Sequence, residues 1–67
     1  MNITDRERQV LDFLKQGWSN KAIAIELGIS HNTVKAHVRN LLMKHGIEPG
    51  ERSTTRLLNK LGSGDAA

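Results

Sequence analysis

Lys35 and Arg39 stand four residues apart, with Asn32 and Ala36 on the same side of any helix that carries them. Residues three and four apart are neighbours on a helix face, so the four tips can reach one short tract of a partner. The chemistry they offer is recognition. Lys and Arg donate to guanine O6 and N7, Asn pairs with adenine, and Ala can touch a thymine methyl. No acidic residue occurs between Glu26 and Glu48, an interval that holds Lys35, Arg39, Lys44 and all three histidines, His31, His37 and His45. The net charge is only +3, so its distribution matters more than its sum. Acidic residues gather at Asp5, Glu7 and Asp12, and again at Glu48 and Glu51. A basic helix on an otherwise balanced domain suits a phosphate-rich partner. The plainer alternative is a helix whose Lys and Arg only solvate it, and the element that precedes it decides between the two.

That element is legible in the spacing. Ile23 and Leu27 share one face of a helix predicted over 20–27. Val34, Val38, Leu41 and Leu42 form the stripe of another, predicted over 31–45. Gly28 lies between them, where a helix can end in a left-handed residue at little steric cost. Ala24 is small enough for two helices to cross closely. Ser30 is a good N-cap for the second. A helix, a Gly-containing turn and a capped second helix form a helix-turn-helix, which presents its second helix to the major groove. Asn32, Lys35, Ala36 and Arg39 are then the candidate base contacts. Lys21, Ser30, Thr33, His37 and Asn40 are the candidate backbone contacts. Spacing alone leaves base and backbone open for each of them, and His37, near the edge of the apolar stripe, suits a packed side chain equally well. Lys21 opposes the helix dipole at its own N-terminus, at a cost of a few tenths to about 1 kcal/mol. A bound phosphate would reverse the sign of that cost.

Thr4-Asp5-Arg6-Glu7 has the capping-box pattern and starts a helix predicted over 5–16, with Val10, Leu11, Phe13 and Leu14 on one face. Gly17 stops it. Trp18 is expected to cap the core, and Ser19 to cap the next helix. Gly46 ends the basic helix and Ile47 folds back on the core. Glu48-Pro49-Gly50-Glu51 reads as a turn. Ser53 is expected to cap a fourth helix over 54–61, with Leu57, Leu58 and Leu61 apolar. Two turns are too few to stand alone, so this helix must pack on the domain or on a second copy. Residues 62–67, GSGDAA, have nothing to bury and are expected to be disordered. The reading is an all-α, four-helix domain over 1–61.

Several function classes are disfavoured. The chain has no cysteine, hence no disulfide and no thiolate metal site. The histidines point to different sides of the helix and lack carboxylate partners nearby, so no metal is expected. There is no Gly-rich phosphate loop and no carboxylate pair suited to acid–base work, so no enzyme and no cofactor are expected, nor a small-molecule ligand. Phe13 and Trp18 are the only aromatic residues, and both suit the core, which argues against RNA binding by base stacking. No apolar run approaches about 18 residues and no secretory h-region is present. A soluble intracellular protein with no membrane contact is expected.

The stretch from Ile3 to Ile47 resembles the DNA-binding domain of LuxR/FixJ-type bacterial transcription regulators. The matching pieces are TDRERQVL, the Gly17 and Ser19-Asn20-Lys21 junction, LGIS, and TVKAHV. The resemblance implies a four-helix domain in the bacterial cytoplasm, at the nucleoid, bound to double-stranded DNA at a pseudo-palindromic promoter site. It implies Lys35, Ala36 and Arg39 at base-facing positions, and Asn20, Lys21, Thr33 and His37 near the backbone. It places a homodimer interface on the fourth helix, at Thr54, Leu57, Leu58 and Leu61, and makes RNA polymerase a further candidate partner. After Ile47 the chain departs from the family pattern: Pro49-Gly50 lengthens the connection before Arg52-Ser53. Two rival readings remain distinct. A sigma-factor-like domain would bind promoters only with polymerase, but its helix is usually richer in arginine. A helical protein-interaction module would lose nothing when Lys35 and Arg39 become alanine.

Overall fold

Thr4 begins the first helix as its sequence requires. Its hydroxyl accepts from the Glu7 amide at 3.1 Å, and the Glu7 carboxylate accepts from the Thr4 amide at 3.1 Å. The computed structural model describes residues 2–62, and its helices are α1 (Asp5–Lys15), α2 (Asn20–Leu27), α3 (His31–Lys44) and α4 (Ser53–Lys60). There is no strand among the described residues. The terminal stretch expected to be disordered lies outside them from residue 63 onward.

α1 and α3 each stop one residue before the predicted end. Gln16 and His45 are the C-caps, with Gly17 and Gly46 in left-handed conformations directly after. Ser19 caps α2 and Ser30 caps α3, each accepting from the amide three residues on, of Ala22 and Thr33. Gly28 closes α2 at φ 69, where an L side chain would be strained by roughly 1 kcal/mol. α2 and α3 therefore meet in the expected helix-turn-helix.

α4 corrects the sequence reading. Ser53 is its first residue, not its cap. Its amide donates to the Gly50 carbonyl at 3.1 Å, which draws Ser53 into the helix and leaves Arg52 at the cap position. Arg52 holds φ 63, the one non-glycine residue with positive φ among those described, and no side chain caps the helix.

The core takes Val10, Leu11 and Leu14 from α1, Ile23 and Ala24 from α2, Val34, Val38, Leu41 and Leu42 from α3, and Leu57 from α4. α1 and α3 each pack on the other three helices, α3 the more extensively. Ile47 and Trp18 pack at the edge of this core as expected, with Trp18 tilted on Phe13 at 4.5 Å between ring centroids. Leu57 was expected at a dimer interface. It is fully buried in its own domain, because α4 needs one face to hold it against α1 and α3. It therefore cannot face a partner in this fold.

Candidate nucleic-acid interface

The buried stripe of α3 fixes which of its side chains are free. With Val34, Val38, Leu41 and Leu42 turned inward, Asn32, Lys35, Ala36 and Arg39 are all exposed. All four line one surface cleft of about 590 Å³. Asn20, from the first turn of α2, lines the same cleft. Pro49 and Gly50 of the α3–α4 connection and Ser53 and Thr54 of α4 also line it, and Val38 and Leu42 contribute apolar surface. No carboxylate lines it, whereas Lys35 and Arg39 both do.

Helix ends add to this field. α1 neutralises its positive end with Asp5 and Glu7, but the first turns of α2, α3 and α4 carry no acidic residue. Uncompensated helix N-termini attract anions through their free amides and dipole. Residues from the first turn of each of these three helices (Asn20, Asn32, Ser53 and Thr54) border the cleft.

The candidate backbone residues lie more widely. Lys21, Ser30, Thr33 and Asn40 are exposed, and His37 is half-buried. None of these five lines the cleft. The Ser30 and Thr33 hydroxyls are 2.8 Å apart. Ser30 also accepts from the Thr33 amide at 3.0 Å. If Ser30 donates its proton to Thr33, the Thr33 hydroxyl keeps its own proton for an outside acceptor.

Lys44 corrects the charge count. It looked unopposed because it falls inside the acid-free interval between Glu26 and Glu48. Its ammonium lies 2.6 Å from the Glu7 carboxylate, which is almost wholly buried. Lys44 thus secures the end of α3 to the start of α1. It leaves Lys35 and Arg39 as the free cations of α3. Glu7 is held below the usual carboxylate range, chiefly by the Lys44 hydrogen bond, with burial acting against it and the Thr4 hydrogen bonds reinforcing it. His45 is also structural, its ring Nδ1 being 2.8 Å from the Leu41 carbonyl.

Sequence reasoning missed the part of the cleft lined by the α3–α4 connection. The signal was present in Pro49-Gly50, read as a turn and a lengthened connection but not as part of the site, because the docking of α4 depends on Leu57. Among the described residues there is no group of three His, Cys, Asp or Glu side chains placed to hold a metal ion. No helix among them is long and apolar enough to cross a membrane.

A family model described as "Bacterial regulatory proteins, luxR family" matches residues 1–48. Over 61 residues the chain is 46% identical to the nitrate/nitrite response regulator protein NarP of Escherichia coli (strain K12), covering 91% of this chain and 28% of that protein. Over 46 residues it is 50% identical to the probable transcriptional regulatory protein SgaR of Hyphomicrobium methylovorum, covering 69% of this chain and 22% of that protein. The chain thus spans about a quarter of the length of these curated relatives. No solved structure matches it.

Proposed function

Because the chain belongs to the luxR family of bacterial regulatory proteins, as a DNA-binding domain of its transcription regulators, we propose that α3 enters the major groove of double-stranded DNA and reads its sequence there. The observation that carries this reading is the acid-free cleft on α3, which gathers Asn32, Lys35, Ala36 and Arg39 beside three uncompensated helix N-termini. Lys35 and Arg39 donate to guanine, Asn32 pairs with adenine or binds a phosphate, and Ala36 packs on a thymine methyl. Lys21, Thr33 and the capping region of α3 position the domain on phosphates, as does Asn20. Ser30, His37 and Asn40 lie on the flanks and serve the same end.

Two copies would occupy a pseudo-palindromic promoter site. The α4 surface available for pairing is Thr54 and Leu58, both half-buried, and Leu61, 36% exposed. From the designation of NarP as a response regulator, we carry over the further proposal that the domain is the output part of a signal-controlled regulator, working at the bacterial chromosome.

Dimethyl sulfate interference tests the groove assignment. Guanine N7 faces the major groove, and adenine N3 the minor groove. Methylation of one or more guanines at N7 is expected to exclude a duplex from the bound fraction, while methylation at adenine N3 leaves binding intact. Interference confined to adenine N3 would place the protein in the minor groove and refute the assignment.

A further inference from the structure

We infer that the N-terminus of α4 grips a DNA backbone phosphate at the edge of the tract faced by α3, with the Ser53 hydroxyl and the Thr54 amide as donors. This rests on the reading of α3 as the helix in the groove. α1, α2 and α3 each carry a side-chain cap, from Thr4, Ser19 and Ser30, and α4 has none. The Thr54 amide has no acceptor among the backbone hydrogen bonds of the turns and caps.

An uncapped helix end alone would be common enough. The second observation is Ser53 itself. It is only 9% exposed. Its hydroxyl takes part in no side-chain hydrogen bond among the described residues. Yet Ser53 lines the cleft, and no enclosed polar atom is left without a partner, so the hydroxyl is reachable from it. A hydroxyl open to the cleft and without a partner in the domain can donate to an anionic acceptor arriving through it, a charge-assisted bond stronger than a neutral one. Lys35 and Arg39 line the same cleft, and the carboxylates of the connection, Glu48 and Glu51, do not. A phosphodiester offers two charged oxygens to such donors, and helix N-termini favour it. The occupant is a phosphate of bound duplex because the cleft is continuous with the base-facing side chains of α3.

The test uses a duplex selected by the wild-type chain and scanned with single methylphosphonate linkages, each of which removes the charge of one phosphate. At one linkage the wild type is expected to weaken about tenfold, the weight of one charge-assisted hydrogen bond. Ser53→Ala is expected to bind the unmodified duplex about tenfold more weakly and to lose clearly less than the wild type at that linkage, where the Thr54 amide alone still donates. Ser53→Thr, which keeps the hydroxyl, should respond as the wild type does. A melting curve by circular dichroism accompanies each variant. A folding defect lowers binding equally at every linkage, so the same loss for Ser53→Ala as for wild type at all positions would overturn the inference. Response of the Thr54 amide resonance to inorganic phosphate alone, without linkage coupling, would reassign the site to a free anion and overturn it as well. Failure of the wild type to bind any duplex would overturn the proposed function together with this inference. Binding that depends on Arg39 without coupling at Ser53 would overturn this inference alone.

Discussion

Glu7 does two jobs that a local reading separates. Its carboxylate closes the capping box on Thr4 and receives Lys44 from the far end of the basic helix. The pair is lopsided: the Glu7 side chain is 4% exposed and that of Lys44 31%. Breaking it from either side should therefore have unequal costs. Lys44→Met strands a buried carboxylate and is expected to cost about 3 kcal/mol. Glu7→Gln keeps an acceptor for Thr4 and leaves a lysine that water can reach, and is expected to cost about 1 kcal/mol. Urea titrations of the two variants check the order, and equal losses would contradict it. The acid dependence follows with its sign. The native carboxyl titrates below 4.5, its ordinary value, so the ionised pair stabilises the fold fully above that pH. The stabilisation is lost as pH falls through the lower, native value. Glu7→Gln should flatten this part of the acid unfolding profile. The capping box was legible because it is written in four adjacent residues. The ion pair was not, because its members meet only after α1 and α3 pack.

At the scale of the element, the periodic stripes and the caps Thr4, Ser19 and Ser30 sufficed to place α1, α2 and α3. Gly17, Gly28 and Gly46 marked where they end. α4 was legible as a helix but not in its start or its facing. A serine before an apolar run is an ordinary capping signal, yet the Gly50 carbonyl takes the Ser53 amide and makes Arg52 the entry residue. Leu57 could have faced core or partner by spacing alone, and only packing assigns it to the core. The exposed face of α3 was legible for the converse reason: once Val34, Val38, Leu41 and Leu42 are inward, Asn32, Lys35, Ala36 and Arg39 are left on the outside. α2 carries the prediction of this scale. Lys21 sits in its first turn, with no acid to compensate, and is exposed. Lys21→Ala should weaken binding to all duplexes alike and lower the slope of log affinity against log salt by about one. Fluorescence anisotropy over a salt series checks this, and an unchanged slope would remove Lys21 from the backbone contacts.

The described residues form a body 33 Å long and 23 Å across. Half-sites one helical turn apart are separated by about 34–36 Å, so neighbouring copies on one duplex would lie within touching distance. With Lys44 tied to Glu7, the free positive charge on α3 is concentrated at Lys35 and Arg39, beside the helix ends that border the cleft. Charge of this kind brings any duplex close, whereas base contacts choose among them. The most direct measurement is therefore selection from a random duplex pool at near-physiological salt, run in parallel with the wild type and Arg39→Ala. The wild type is expected to enrich a motif with two-fold symmetry. Arg39→Ala should enrich the same motif with preference relaxed at one base pair per half-site, at a cost of about 1–3 kcal/mol. A single half-site from the wild type would retain the readout and contradict pairing through α4. No enriched motif, or an identical motif from both proteins with binding uniformly weakened, would contradict the assignment of Arg39 and its neighbours to the bases.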